Sequence, residues 1–316
     1  MYFPYVRGRQ YELLALRELV SSNLLGDFVL PVIEPVKLSP TLVKTIGEFI
    51  QKDHPLAVIG NPMVGSFLND YESVREDSRE GSYREDFVRF CENSLIVKSV
   101  IMKEDALPIL ASWEKTGIRK EDLLAVNINR DSLTLFDAEF SGVYPRYAFV
   151  PDERACLRGV KHNRVIWEDR FEKQSRNADY QENEDEFFSD DHVYFREERF
   201  VGFSDYSVIG NEYQEGGFAP YAVAIHIVYF AEDESLRIKH FVSDSNEDIT
   251  NPAKKFYQAV EKLYEWYHAN PFPPTVGLSL LLQHYEGQTY PGLGSVKKLS
   301  IMHHLELMGK YLAAIT

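Results

Sequence analysis

Short apolar runs bounded by turn residues alternate with stretches whose apolar residues recur every three or four positions, and this continues through the first two-thirds of the chain. The first rhythm is that of a buried strand, the second that of a helix with one face on a core. Strand-like runs follow in order as YFPYV, FVLPVIEPV, LAVIG, SLIVKSVIM, LLAVNI, YAFV, RVIW and RFVGFSDYSVI. Helical segments lie between them. YELLALRELVSSN places Leu13, Leu14, Leu16 and Leu19 at helical spacing, and SPTLVKTIGEFIQKD offers Ser39 as N-cap with Pro40 at the first helical position. EDALPILASWEKTG and RACLRGV read the same way. Strands alternating with helices predict a parallel sheet with helical crossovers, so the fold class is α/β. Eight such strands predict a (β/α)8 TIM-like barrel in preference to an open doubly wound sheet.

Two segments interrupt the rhythm. An acidic stretch, about 175–195, reads as a surface insertion or a charged helix, and about 219–245 the runs AVAIHIVYFA and IKHFVSD flank EDESLR as a β-hairpin excursion after the eighth strand. The last third is helical: PAKKFYQAVEKLYEWYHAN, TVGLSLLLQHYEG and SVKKLSIMHHLELMGKYLAAI are extra C-terminal helices. With no internal repeat and no low-complexity linker, residues 1–316 are expected to form a single domain.

Composition narrows the partners. At 44% hydrophobic and 13% aromatic, the chain can bury a large core, which excludes wholesale disorder. A net charge of -15 repels a phosphate backbone, and with no long basic patch nucleic acid is disfavoured as a partner. The apolar run YAVAIHIVYFA is far short of the ~20 residues a membrane helix needs. The N-terminus, broken by Pro4, Arg7 and Arg9, lacks a secretory signal, and Cys91 and Cys156 stand apart without metal-ligand spacing. The expected location is the cytoplasm.

Barrel chemistry is built at the C-terminal ends of the strands. Polar residues stand at nearly every such end: Arg7, Glu34, Lys37, Asn61, Lys103, Asn129, Asp152, Glu168, Asp169 and Asp205. Many are simply the rim where strands meet water. Glu34 differs, lying between Ile33 and Pro35 in an apolar run; a carboxylate buried there needs a cation, and Lys37 or Arg7 could serve. An internal salt bridge and a catalytic role both stay open for it. Alternation puts Asp205 on one strand face with Val201 and Phe203, where it would end at the barrel mouth or cap the following turn. Glu168 and Asp169 cannot both face the same side. Glu34, Asp169 and Asp205 are the candidate catalytic set, as general acid, general base or ligands of Mg²⁺ or Mn²⁺. Arg7, Lys37, Asn61, Asn129, Asp152, Arg176 and Asn177 are the candidate substrate-binding residues, the cations suiting an anionic ligand. No GxGxxG, Walker lysine loop, HExxH or GxSxG is present.

His226, alternating with Ala222, Ala224 and Val228, reads first as a hydrogen-bonded core or edge histidine and only second as a catalytic base. His303 and His304 are adjacent on a helix and point apart, which argues against a shared metal. Gly216, Gly217 and Pro220 mark a turn or a loop that could cover the mouth.

Taken together, MYFPYVRGRQYELLALREL, PVIEPVK, EDRFEKQSRNADY and GFSDYSVIG followed by AVAIH make the chain resemble, over nearly its full length, the Beta-protein family of phage and bacterial genomes. The resemblance implies the company of mobile elements and a place in phage-defence or counter-defence gene pairs. It implies no catalytic residue and no cofactor. The expectation is a barrel enzyme of a phage-linked or defence-related gene system, acting hydrolytically on a small polar or phosphorylated substrate. The alternative is a non-catalytic protein-binding component of such a pair. It would recognise a protein partner from a neighbouring gene through an exposed apolar patch including Phe187, Phe188 or Tyr194.

Overall fold

The computed structural model describes residues 1–75, 77–216 and 220–315. The chain separates into two compact units, Met1–Asp169 with Asp191–Tyr206, and Arg170–Asp190 with Ser207–Thr316.

In the first unit strands and helices follow as β1 (Tyr5–Val6), α1 (Gln10–Ser21), β2 (Val32–Ile33), α2 (Pro40–Gln51), β3 (Leu56–Ile59), α3 (Phe67–Ser73), α4 (Arg79–Cys91), β4 (Ile96–Ile101), α5 (Ala106–Lys115), β5 (Leu124–Val126), α6 (Arg130–Glu139), β6 (Tyr147–Val150), α7 (Arg154–Gly159) and β7 (Arg164–Trp167). After β8 (Asp185–Ser189), which belongs to the second unit, come α8 (Asp191–Tyr194) and β9 (Gly202–Ser204). The eight strands of this unit pair in the order β1-β2-β3-β4-β5-β6-β7-β9, all parallel. Tyr2 bridges both Val29 and Phe203, and Phe3 and Tyr5 donate their N–H groups to the carbonyls of Phe203 and Asp205, which brings β9 round to β1. The result is a nearly closed (β/α)8 TIM-like barrel, and each of the eight apolar runs contributes one strand.

Parallel barrel strands are buried on both faces, which is why their runs are apolar throughout instead of alternating. Alternate residues fill the interior: Phe3, Tyr5, Val32, Ile59, Val126, Phe149, Val165, Trp167 and Tyr206 are among them. Residues of opposite phase, such as Val100, Ala125, Ala148 and Val150, pack outward with Leu110, Phe136 and Cys156 of the helices. Ser39 accepts from the Leu42 N–H at 3.2 Å with Pro40 behind it, so α2 starts where its sequence predicts.

The second unit pairs β8 with a hairpin of β10 (Ala224–Phe230) and β11 (Leu236–Val242), in the antiparallel order β10-β11-β8. The helices α9 (Pro252–Ala269), α10 (Val276–Glu286) and α11 (Leu293–Ala314) follow. The acidic stretch, expected as an insertion or a charged helix, instead supplies an edge strand to the hairpin, with Phe188 buried as its anchor. Residue 219 of the expected hairpin and Gly217 of the expected covering loop lie outside the described residues. Among the described residues no helix is long and apolar enough to cross a membrane.

Candidate functional site

At the C-terminal end of the barrel strands, Glu34 is fully buried and its acceptors are taken. Oε2 accepts from the Tyr5 hydroxyl at 2.9 Å and lies 3.2 Å from Arg7 Nε, while Oε1 accepts from the Met63 N–H at 2.7 Å. Arg7, not the exposed Lys37, is the cation that balances it. The guanidinium in turn lies 5.4 Å from the centre of the Tyr206 ring. Burial raises the Tyr206 phenol against the opposing pull of Arg7, with Glu34 and Asp169 adding to the rise. Glu34 therefore works as an internal clamp on Arg7 and Tyr5. Beside this cluster the buried Trp167 indole N–H has no hydrogen-bond partner among the described residues.

The other residues singled out at strand ends do not converge on Glu34. Asp205 follows the phase of Phe203, whose ring stacks on Tyr2 and meets Phe195, and it accepts from the Tyr2 hydroxyl at 2.8 Å. It is Tyr206, one residue on, that enters the interior. The placement of Asp205 at the mouth is thus corrected: the apolar face it continues is the outer one. Asn61 spends its amide on the backbone of Ile101 and on Asp105, tying the end of β3 to that of β4. Asn129 is the N-cap of α6, accepting from Asp131 and Ser132. Asp152 donates its N–H to Glu168 Oε2 at 3.2 Å. Glu168 and Asp169 do diverge, the first to Asp152 and the second towards Tyr206. A divalent cation does not fit this set. Glu34 and Asp205 point to opposite faces of the barrel wall, and among the described residues no three His, Cys, Asp or Glu side chains are grouped to hold a metal.

The second unit holds a different arrangement. Register opposes His226 of β10 to His240 of β11, and their Nδ1 atoms meet at 2.7 Å. His240 Nε2 then lies 3.1 Å from Glu186 Oε1 on β8, and Asn183 donates to the other oxygen of that carboxylate. Tyr180 packs on both imidazoles, at 4.7 and 4.6 Å between ring centres, and Phe171 meets the His226 edge at 5.1 Å. The directions of the protons follow from the chemistry of the acceptor. A carboxylate only accepts, so His240 carries its proton on Nε2; neutral His240 accepts at Nδ1, so His226 donates from Nδ1 and presents an unprotonated Nε2. Both rings are held neutral. Burial pushes His226 well below the usual histidine range, with His240 and Lys297 adding to the fall, and burial also lowers His240 against the opposing pull of Glu186.

His226 lines a cavity of about 260 Å³, and its ring is half-buried. Phe171, Tyr180 and His226 form one side and Val296 and Ser300 of α11 another, with Lys173 and Lys297 among the polar lining residues. Asn177 also lines it, anchored through its amide to the Ala222 carbonyl at 2.8 Å. Arg176 is exposed and paired with Asp179 at 2.7 Å, away from such a role. Of the remaining histidines, His303 lies between the Thr275 hydroxyl and the Val228 carbonyl, and His304 Nδ1 meets the Ser207 hydroxyl at 2.9 Å. Both are fully buried, and they point apart as adjacent helical residues must. Phe187 and Tyr194 are exposed, whereas Phe188 is buried.

By fold the chain is a TIM-like barrel protein with an added antiparallel unit. No family model, curated protein or solved structure matches it.

Proposed function

We propose that the chain is a hydrolase of small polar substrates whose working site is the cavity of the second unit, with His226 as general base. The observation that carries this reading is the chain of contacts from Glu186 through His240 to His226, which leaves one ring nitrogen of a cavity-lining histidine unused by the chain. A base must be unprotonated at working pH and within reach of the proton it takes, and the lowered basicity of both rings meets the first condition. In the reaction, His226 Nε2 takes a proton from water as the oxygen attacks the electrophilic centre of an ester. The same nitrogen returns that proton to the departing oxygen, so the base is regenerated in each turnover. His240 and Glu186 are positioning residues: they fix the tautomer and stabilise the imidazolium while it lasts.

The test is hydrolysis of a panel of small 4-nitrophenyl esters, followed by release of nitrophenolate. His226→Gln is expected to lower kcat by about 10²–10⁴-fold. Glu186→Gln should cause a smaller fall and shift the pH profile, because it changes the base without removing it. A His226→Gln protein that keeps its rate, or a wild-type protein that turns over none of the panel, defeats the reading.

A further inference from the structure

No Asp or Glu is among the described residues lining the cavity, although the chain carries 49 of them against 34 Lys and Arg. Among the described residues, the only charged lining ones are Lys173 and Lys297. Lys297 is exposed, and Lys173 is partly so and reaches the exposed Glu212 at 2.8 Å, so both cations stand at the rim. A pair as exposed as Lys173 and Glu212 contributes little, and a ligand can replace it at small cost. Phe171, Tyr180, Ile209, Val223 and Val296 give the cavity an apolar and aromatic wall, beside the uncharged polar Gln174, Asn177 and Ser300. Lys297 lies on α11 one turn before Ser300, and both face the cavity as helical spacing requires. The volume lies just below the usual range for ligand sites and suits a small molecule.

We propose that the cavity takes a small organic anion with a planar apolar body, its carboxylate or phosphate head at the rim on Lys297 and Lys173, its body against Phe171 and Tyr180. The inference rests on the hydrolase reading only for calling that anion a substrate; the binding chemistry stands on the lining alone. It also gives Lys297 a second part. A ligand anion beside Lys297 offsets the positive charge that disfavours protonation of His226, so the bound ligand makes the base stronger.

Calorimetric titration of the full chain with phenyl phosphate, benzoate, inorganic phosphate, benzyl alcohol and benzylamine tests this. Phenyl phosphate or benzoate should bind at least about tenfold more tightly than benzyl alcohol, the effect of one charge-assisted hydrogen bond, and benzylamine should bind worst. The tighter of the two anions names the head group. Inorganic phosphate should bind more weakly than phenyl phosphate, because it lacks the body. Lys297→Met should cost the anions about tenfold and leave benzyl alcohol unchanged. Equal binding of benzyl alcohol and the anions, unchanged anion affinity in Lys297→Met, or no binding by any probe overturns the proposal. His226→Gln separates it from the hydrolase reading: that variant should still bind the anions, so anion binding without any loss of hydrolysis defeats the base and leaves the ligand class standing.

Discussion

His226 is half-buried and His303 fully buried, and what distinguishes the two imidazoles chemically is the second nitrogen. His303 has a partner at each, the Val228 carbonyl at 2.7 Å taking the Nε2 proton and the Thr275 hydroxyl donating to Nδ1 at 2.8 Å. Burial, reinforced by His304 and Lys310, lowers its pKa to about 4, so the folded protein keeps it neutral while an unfolded chain protonates it near 6.5. The sign follows from proton uptake: below about 6.5 the unfolded state binds the proton and the folded state does not, so stability falls with pH until about 4. The loss from this one group reaches about 3 kcal/mol. Urea unfolding of wild type should show this decline between those limits, and His303→Gln, which cannot titrate, should flatten it. A slope unchanged by the substitution rules out His303 as the source. His226 and His240 add to the decline in the same direction, since both are also lowered.

At the scale of elements, α10 and α11 approach closely because Gly277 lets them. A Cβ there would stand 2.4 Å from the Leu299 carbonyl oxygen and 2.7 Å from the His303 nitrogen, and neither backbone atom can yield without moving a helix. Gly277→Ala should therefore lower stability by about 1–3 kcal/mol despite alanine's better helix propensity, measured as a lower unfolding midpoint. A midpoint at or above wild type contradicts the close crossing. The same scale explains what could be read from sequence. All eight barrel strands were legible because strands buried on both faces are continuous apolar runs. The strand β8 was not, since Asp185 and Glu186 mask a segment whose only strand signal is the phenylalanine pair. Asp205 was assigned to the right phase and the wrong side: period two shows which residues share a face, but not which face meets the interior. The relay was partly available. In the hairpin, His226 and His240 each lie seven positions from Asp233, so the turn itself sets them opposite one another. Glu186 was out of reach, because nothing in the chain indicates that the acidic stretch joins that sheet.

For the whole molecule, the charge on the ligand's path opposes the charge at its destination. The net charge of -15 repels an anion over a distance set by salt, whereas Lys173 and Lys297 attract it only near the rim. At ~10 mM ionic strength the screening length is about 30 Å and the repulsion of the whole surface is felt; at ~150 mM it is about 8 Å and only the nearby cations count. An anionic ligand should thus associate faster as salt rises over this range, the reverse of what electrostatic steering by a basic surface produces. Stopped-flow binding of phenyl phosphate or benzoate measures this, with benzyl alcohol as the neutral control whose rate should stay flat. An association rate for the anion that falls with added salt would mean that the two rim lysines govern its approach from a distance, and that the acidic surface is arranged to leave their field open.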